Sequence, residues 1–399
     1  LKIGIVGNYG NDNNGDEAIL LSIISQVTEV FQVPSDVITV FSNNPKQTAK
    51  RYQVMSAPLY YKKGNAVKTF AATYMQNKKI VKTFDLLIIG GGGILMDLYK
   101  REAPLYGSYA MMAKNSGVPY VIYGCGAGPL SSDLGKWFIR YMSKHAHSIS
   151  VRDPESAELL QSVGVKKEIQ VIGDPAFSLK KERHTYSEKP VKIGVTAVPY
   201  YHGGYWPESK EEIYQQYIEG MAKNLDALAV ARPVEITFFA TKFPQDADVT
   251  KDIQALMKES AHTTVIDRNL LPKDLLEITA SQDLIIGTRL HSLILATCTA
   301  TPVIAVCYHH KVTDFMKLAN LEDVSIPIGE MHQSENQFTN AYEVLASDWT
   351  RTCEQTQKLS TTLYEEAMSG TRQFTEAIKK TWRDKTDMFI KKDEQSQKL

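Results

Sequence analysis

The run Gly287-Thr288-Arg289-Leu290-His291-Ser292 sets a permanent cation two residues before a titratable imidazole, directly after the apolar stretch Asp283-Leu284-Ile285-Ile286. That stretch reads as a short buried strand and residues 290–296 as an apolar helix start, so the pair falls on a strand-to-helix turn. In an open parallel sheet, ligands bind at the carboxyl ends of the strands. There Arg289 and His291 would meet an anion. The guanidinium offers a fork matched to carboxylate or phosphate, the helix start adds N–H groups, and the imidazole exchanges a proton near neutral pH. A surface Arg beside a capped core His fits the same residues, and the turn alone does not choose. Two further cations occupy comparable places: Arg152 follows a strand at 149–151, and Lys311 follows Tyr308-His309-His310 after a strand at 303–306. Arg152 could instead pair with Asp153 or Glu155. Converging from three strand ends, these cations would suit a small, multiply charged substrate better than a neutral sugar.

The elements that must carry these groups follow from hydrophobic patterning. Apolar runs at 3–6, 37–41, 86–89, 120–123 and 149–151 read as strands, with helical patterns at 17–30, 104–115, 134–145 and 154–163. A second alternation has strands at 192–197, 234–239, 264–266, 284–286 and 303–306, with helices at 211–229 and 272–280. Such βα alternation predicts parallel sheets with helices on both faces. The expected organisation is two similar α/β domains facing a cleft, at 1–180 and 190–335, then a helical extension with a polar tail at 336–399. Gly173-Asp174-Pro175-Ala176-Phe177 and the polar run 180–189 read as the linker.

Three glycine-bearing loops sit at strand ends. Residues Gly7 to Glu17 follow the first strand and open a helix, either as a structural turn or as a substrate loop. The G-x-G-x-x-G spacing and the acidic residue of an NAD site are both missing. Gly90-Gly91-Gly92-Gly93 and Gly124-Cys125-Gly126-Ala127-Gly128-Pro129 allow close backbone approach to a ligand. Pro129 stands where a dinucleotide fingerprint would end. Tyr200-Tyr201-His202-Gly203-Gly204-Tyr205-Trp206 could stack on sugar rings or cover the second core.

Composition narrows the class. Lys plus Arg and Asp plus Glu both number 45 in 399 residues, which argues against a nucleic-acid footprint, although a local basic patch can hide in a neutral total. No apolar run approaches the ~20 residues of a spanning helix and no secretory pattern opens the chain, so a cytoplasmic location is expected. Cys125, Cys298, Cys307 and Cys353 lack C-x-x-C pairing, and no metal cluster is expected.

Taken in order, Gly-Asn-Tyr-Gly, Asn-Gly-Asp-Glu-Ala-Ile, Gly-Gly-Gly, Tyr-Gly-Cys-Gly-Ala-Gly-Pro, Ser-Val-Arg-Asp-Pro-Glu-Ser, Gly-Asp-Pro-Ala-Phe and Gly-Thr-Arg-Leu-His-Ser resemble the polysaccharide pyruvyl transferases from Gly7 to about Phe315. The resemblance implies a GT-B-like fold and transfer of pyruvate from phosphoenolpyruvate onto a sugar as a ketal, with phosphate released. Phosphoenolpyruvate would be a substrate, and no cofactor is expected. The motifs assign donor binding to Arg152, Arg289, Leu290, His291 and Lys311, with His291 as proton donor to C3 and Arg289 beside the leaving phosphate. Asn14, Asp16, Glu17, Gly92, Gly93 and Asp174 are the acceptor-side candidates, with Asp16, Glu17 and Asp174 as bases for the sugar hydroxyl. The acceptor would be a sugar or a lipid-linked saccharide of a cell-surface polysaccharide. The basic residues Lys379, Lys380, Lys391 and Lys392 would then touch the inner membrane face, and a homo-oligomer stays open. Two alternatives remain: a nucleotide-sugar glycosyltransferase of the same fold and a non-catalytic carbohydrate-binding protein.

Overall fold

A computed structural model describes residues 1–98, 101–181, 185–206 and 208–379. They form two compact units. The first holds residues 1–11, 16–178 and the described residues from Glu365 on; the second holds 12–15 and 179–364.

In the first unit the strands are β1 (Ile3–Val6), β2 (Ile38–Ser42), β3 (Met55–Pro58), β4 (Leu86–Gly90), β5 (Tyr120–Cys125), β6 (Ile149–Val151) and β7 (Ile169–Val171). They alternate with α1 (Asn14–Phe31), α2 (Pro45–Tyr52), α3 (Ala66–Val81), α4 (Glu102–Asn115), α5 (Asp133–His145) and α6 (Pro154–Ser162). The sheet is parallel, in the order β3-β2-β1-β4-β5-β6-β7. Strands β1, β4 and β5 are apolar and buried along their whole length, as strands covered on both faces must be. Strand order reverses between β1 and β4. The loops leaving these two strands, which carry Gly7 to Asp16 and Gly91 to Gly93, therefore flank the switch point where such sheets take ligands.

The second unit repeats the plan with β8 (Lys192–Val195), β9 (Glu235–Phe238), β10 (Thr263–Val265), β11 (Leu284–Gly287), β12 (Val303–Cys307) and β13 (Ser325–Pro327). Its helices are α7 (Glu211–Ala231), α8 (Gln245–Leu256), α9 (Pro272–Ser281), α10 (Leu290–Cys298), α11 (His310–Leu318), α12 (Gln337–Ala346) and α13 (Trp349–Ser369). The order is β10-β9-β8-β11-β12-β13, again parallel, with the reversal between β8 and β11. Asp283 fixes that central pair: its carboxylate accepts from the backbone N–H of Val191 (3.0 Å) and Lys192 (2.9 Å) and from the Ser187 hydroxyl (2.6 Å).

Three departures from the sequence reading have physical causes. The segment 173–177 is not an open linker: Pro175, Ala176 and Phe177 are buried in a 3-10 turn, and the division into units falls after Ser178. Of the polar run 180–189, residues 182–184 lie outside the described residues. The stretch 336–399 is not one extension. Helix α12 packs on α7, whereas the described residues from Glu365 on belong to the first unit, where Phe374 lies 4.5 Å from Tyr123 and Gln373 bonds Ser148, Ser150 and Gln170. Its polar end, 391–399, lies outside the described residues, as do Lys380, Lys391 and Lys392.

The Gly91–Gly93 loop is anchored by Asp97, 6 % exposed, which accepts from the backbone N–H of Ser131 (2.9 Å) and Ser132 (2.6 Å) and from both hydroxyls. Ser132 in turn caps α5. Burial works against the Asp97 charge, but these donors outweigh it and lower the carboxyl pKa below its usual value. Asp97→Ala should cost about 1–3 kcal/mol near neutral pH, since it removes the charge-assisted bonds that hold the exposed Ser131-Ser132 turn. A carboxylate with a depressed folded pKa contributes above its unfolded pKa and loses that contribution as pH falls through the folded value. The stability gap between wild type and variant, measured by calorimetry, should therefore shrink from pH ~6 to pH ~3; an unchanged gap would contradict the assignment.

Candidate functional site

In the first unit the loop after β1 brings two carboxylates to the start of α1, and they do different things. Glu17, 1 % exposed, accepts from the Gly10 backbone N–H (2.8 Å) through Oε1 and from the Tyr52 hydroxyl (2.5 Å) through Oε2, with Arg51 at 4.0 Å. Both oxygens brace the loop, so Glu17 is not placed as a base. Asp16 accepts from Asn8 Nδ2 at 2.9 Å through Oδ2, while its Oδ1 lies over the Gly91-Gly92 turn. A Cβ on Gly92, whose φ is +69°, would stand 2.6 Å from that oxygen, so the position has room only for glycine. Gly93 is half-buried beside it. The buried phenols of Tyr9 and Tyr106 are pushed up by desolvation and further by Asp16.

Arg152 was expected as a donor-binding cation and Asp174 as a base; the structure joins them. Arg152, its side chain 8 % exposed, reaches Asp153 through Nε and Asp174 through Nη1, both at 3.3 Å. Asp153 is one of the two partners foreseen. Asp174 also accepts from the Ala176 N–H at 3.0 Å. A Cβ on Gly126 would lie 3.0 Å from Arg152 Nε, so the glycine loop after β5 lies directly against the guanidinium. Neighbouring Cys125 is fully buried, and desolvation pushes its thiol up to about 12. It holds no thiolate at neutral pH.

In the second unit the strand-to-helix turn falls where expected, and Arg289 is the N-cap of α10, with its carbonyl accepting from Ser292 N (3.0 Å) and Oγ (2.6 Å). Its side chain has a counter-ion that sequence reasoning missed. Asp246, 0 % exposed at the start of α8, takes Arg289 Nε at 3.2 Å and Nη2 at 2.5 Å. The carboxylate is fixed in turn by Thr241 Oγ1 (3.1 Å) and the Lys242 N–H (2.9 Å). Arg289 Nη1 donates to the Tyr205 hydroxyl at 3.0 Å, and the Tyr205 ring lies 5.1 Å from the guanidinium and 4.6 Å from Lys242 Nζ. Tyr308 completes the setting, hydrogen-bonded to Arg289, its phenol pushed up by burial. Burial opposes the Arg289 charge, but Asp246 more than compensates and raises its pKa. Of the two roles considered for the aromatic insert, the structure shows internal packing: Tyr200 packs on Tyr217 (5.9 Å), and Tyr205 covers the arginine. The signal for Asp246 was present, since Pro244-Gln245-Asp246 opens a stretch with Val249, Ile253 and Leu256 at helical spacing.

His291 and Leu290 occupy the first turn of α10, both half-buried. The His291 ring packs on Gly15, where a Cβ would lie 2.4 Å from Nδ1. Asn14 beside it is buried, and its Nδ2 finds no acceptor among the described residues. Lys311 is the second residue of α11, and its N–H donates to His309 Nδ1 at 3.3 Å. Burial, with His310 and Lys311, lowers the His309 pKa to about 4, which keeps the capping nitrogen free to accept. Arg289, Leu290, His291 and Lys311 thus share one unit, Arg152, Asp16, Glu17, Gly92, Gly93 and Asp174 the other. Among the described residues no cluster of His, Cys, Asp and Glu could hold a metal, and no helix is long and apolar enough to cross a membrane.

Two parallel α/β domains of this build define the GT-B class of glycosyltransferases and epimerases. A putative UDP-N-acetylglucosamine 2-epimerase from Listeria monocytogenes aligns at TM-score 0.62 with 12% identity, over 96% of this chain and 97% of that one. Anabaena Alr3699/HepE, solved in complex with UDP and glucose, aligns at 0.58 with 13% identity, over 95% and 99%. These likenesses establish the fold. The profile of the polysaccharide pyruvyl transferases matches residues 13–310, and the chain belongs to that family. The amylovoran biosynthesis protein AmsJ of Erwinia amylovora is 23% identical, over 89% of this chain and 96% of its own length.

Removing the Asp246 carboxylate would leave Arg289 buried without its counter-charge, and Asp246→Ala should cost about 3–5 kcal/mol. Asp246→Ala combined with Arg289→Met should be less destabilised than the two single changes summed. Denaturant unfolding of the four proteins tests this; strictly additive losses would mean the pair is not coupled.

Proposed function

We propose that the protein transfers pyruvate from phosphoenolpyruvate to two hydroxyls of one sugar as a cyclic ketal and releases phosphate. The observation that carries this reading is electrostatic. Helices α10 and α11 begin with basic side chains, Arg289 and His291 on one and His310 and Lys311 on the other. Cations at the positive end of a helix dipole are unfavourable unless an anion neutralises both. Arg289 stays charged against Asp246, and Lys242 and Lys311 stand beyond strand ends of the same unit, an array of fixed positive charge that suits a carboxylate and a phosphate. Family membership supports a pyruvyl donor, and the AmsJ likeness supports a polysaccharide acceptor.

On this reading His291 protonates C3 of the enol, C2 becomes electrophilic, and a sugar hydroxyl attacks it. Phosphate leaves against Arg289 and Lys311, and the second hydroxyl closes the ketal. One proton is thus consumed at C3, and the two hydroxyl protons return to the acid and to the departing phosphate. Asp16 is the proposed base, because one of its oxygens is positioned by Asn8 while the other faces the glycine loop. Arg152 enters as the residue that holds Asp174 and the loop after β5, since both its carboxylate contacts are internal. The buried Asn14 amide is a donor that a sugar oxygen would satisfy.

His291→Gln should keep donor affinity while single-turnover phosphate release slows by ~10²- to 10⁴-fold, the usual loss for a general acid. Arg289→Ala should instead lose donor affinity. Calorimetry with phosphoenolpyruvate and rapid-quench phosphate release with a panel of sugars separate the two. A wild-type protein that ignores phosphoenolpyruvate but binds a nucleotide sugar would replace this reading with glycosyl transfer.

A further inference from the structure

The chain is neutral overall, yet its charge is segregated. Between Val37 and Phe84 there are nine Lys and Arg and no Asp or Glu; from Val37 to Arg152 the count is sixteen against four, whereas the whole chain has 45 of each. Six of these sixteen basic residues lie on α3 and α5, which flank α4 on one side of the first sheet. Phe70 of α3 contacts Phe138 of α5 at 6.4 Å, Tyr74 accepts from Asn115 at the end of α4 (2.8 Å), and Lys114 of α4 sits 5.4 Å over Tyr141 of α5.

The same surface is apolar where a soluble face should not be. Val67 is 77 % and Met75 63 % exposed on α3, and Leu134 is 58 % and Trp137 45 % exposed on α5. Leu134, Trp137, Tyr141 and Lys144 recur at helical spacing and so share one face of α5, with Trp137 stacked on Tyr141 at 5.5 Å. On α3, Val67 and Met75 lie on the face that also carries Lys79, with Lys82 just beyond its end.

We propose that this face of α3, α4 and α5 docks on an anionic lipid bilayer. Charge complementarity selects the partner. A second copy would bring like charges together, and a soluble polyanion would leave Val67, Met75, Leu134 and Trp137 in water. Anionic headgroups with an acyl boundary beneath satisfy both the lysines and the apolar side chains, and an indole is at home at that depth. The proposal goes beyond the catalytic reading and needs none of its residues.

The test is co-sedimentation of the full chain with vesicles of phosphatidylcholine alone or of phosphatidylcholine with phosphatidylglycerol. Binding is expected only to the anionic vesicles, falling as salt rises from about 0.05 to about 0.5 M. Combining Lys68→Gln, Lys79→Gln, Lys82→Gln and Lys144→Gln should lower the partition coefficient at least about tenfold. Trp137→Ser should lower it as well. All these positions are exposed, so thermal midpoint and phosphoenolpyruvate turnover with a soluble acceptor should stay unchanged. Indifference of the wild type to anionic vesicles, or binding of both variants at the wild-type level, would overturn the proposal. So would a patch-dependent dimer in size-exclusion chromatography without vesicle binding. If phosphate release fails while anionic vesicles still bind the wild type and not the variants, the catalytic reading falls and the docking surface stands.

Discussion

The second domain is organised around a guanidinium that is buried and must be paired. Arg289 and Asp246 are 43 residues apart and meet only because of the strand order. Strand β11 lies beside β8, and β9 lies on the other side of β8. The turn after β11 thus delivers the arginine, the loop after β9 delivers Thr241, Lys242 and the start of α8, and the loop after β8 delivers Tyr205. Any other crossover would leave a charge without its partner, at a cost comparable to a sizeable part of a domain's stability. The pair also fixes what remains for a ligand. One edge of the guanidinium, Nε and Nη2, faces Asp246, and the remaining nitrogen faces a phenol.

What was readable in advance follows the same physics. Strands such as β1, β4, β5 and β11 were visible because burial on both faces leaves continuous apolar runs, which local sequence alone reveals. The missed strands β3, β7 and β13 are short sheet edges, two of them ending in proline, where half of each residue faces solvent and the apolar signal halves. Helix α8 was passed over because Asp246 and Asp248 crowd its first turn and look like loop composition. Arg289, His291 and Lys311 could be placed at strand-to-helix turns because each follows an apolar run. Their partners could not, since pairing across a sheet is set by strand order, and strand order is not written in any local window.

In the first domain the charged side chains near the loops are paired within the unit. The sequence allowed Arg152 a donor or a neighbouring carboxylate, and the structure gives it Asp153 together with Asp174, which arrives from beyond the next strand. Glu17 looked like a base because it opens a helix beside a glycine loop, and it is the loop's own backbone that occupies it. Asp16 holds Asn8 through one oxygen and sets the other beside Gly92, so it too helps to shape the loops at the switch point.

Net charge misleads in a similar way when it is averaged. A total of zero argues against a polyanionic partner only if the charges are mixed, and here the acids are concentrated outside residues 37–152. The basic excess and Asp16 fall in the same compact unit. On the proposed reading, the part of the molecule that would meet a lipid surface is therefore also the part that holds the acceptor-side carboxylate. A lipid-linked sugar would then be confined to the surface on which that unit rests, and its effective concentration would be set by docking, not by the affinity of the sugar contacts alone. On that reading, weak and adaptable polar contacts such as those of Asn8 and the glycine loops would suffice for an acceptor delivered in this way.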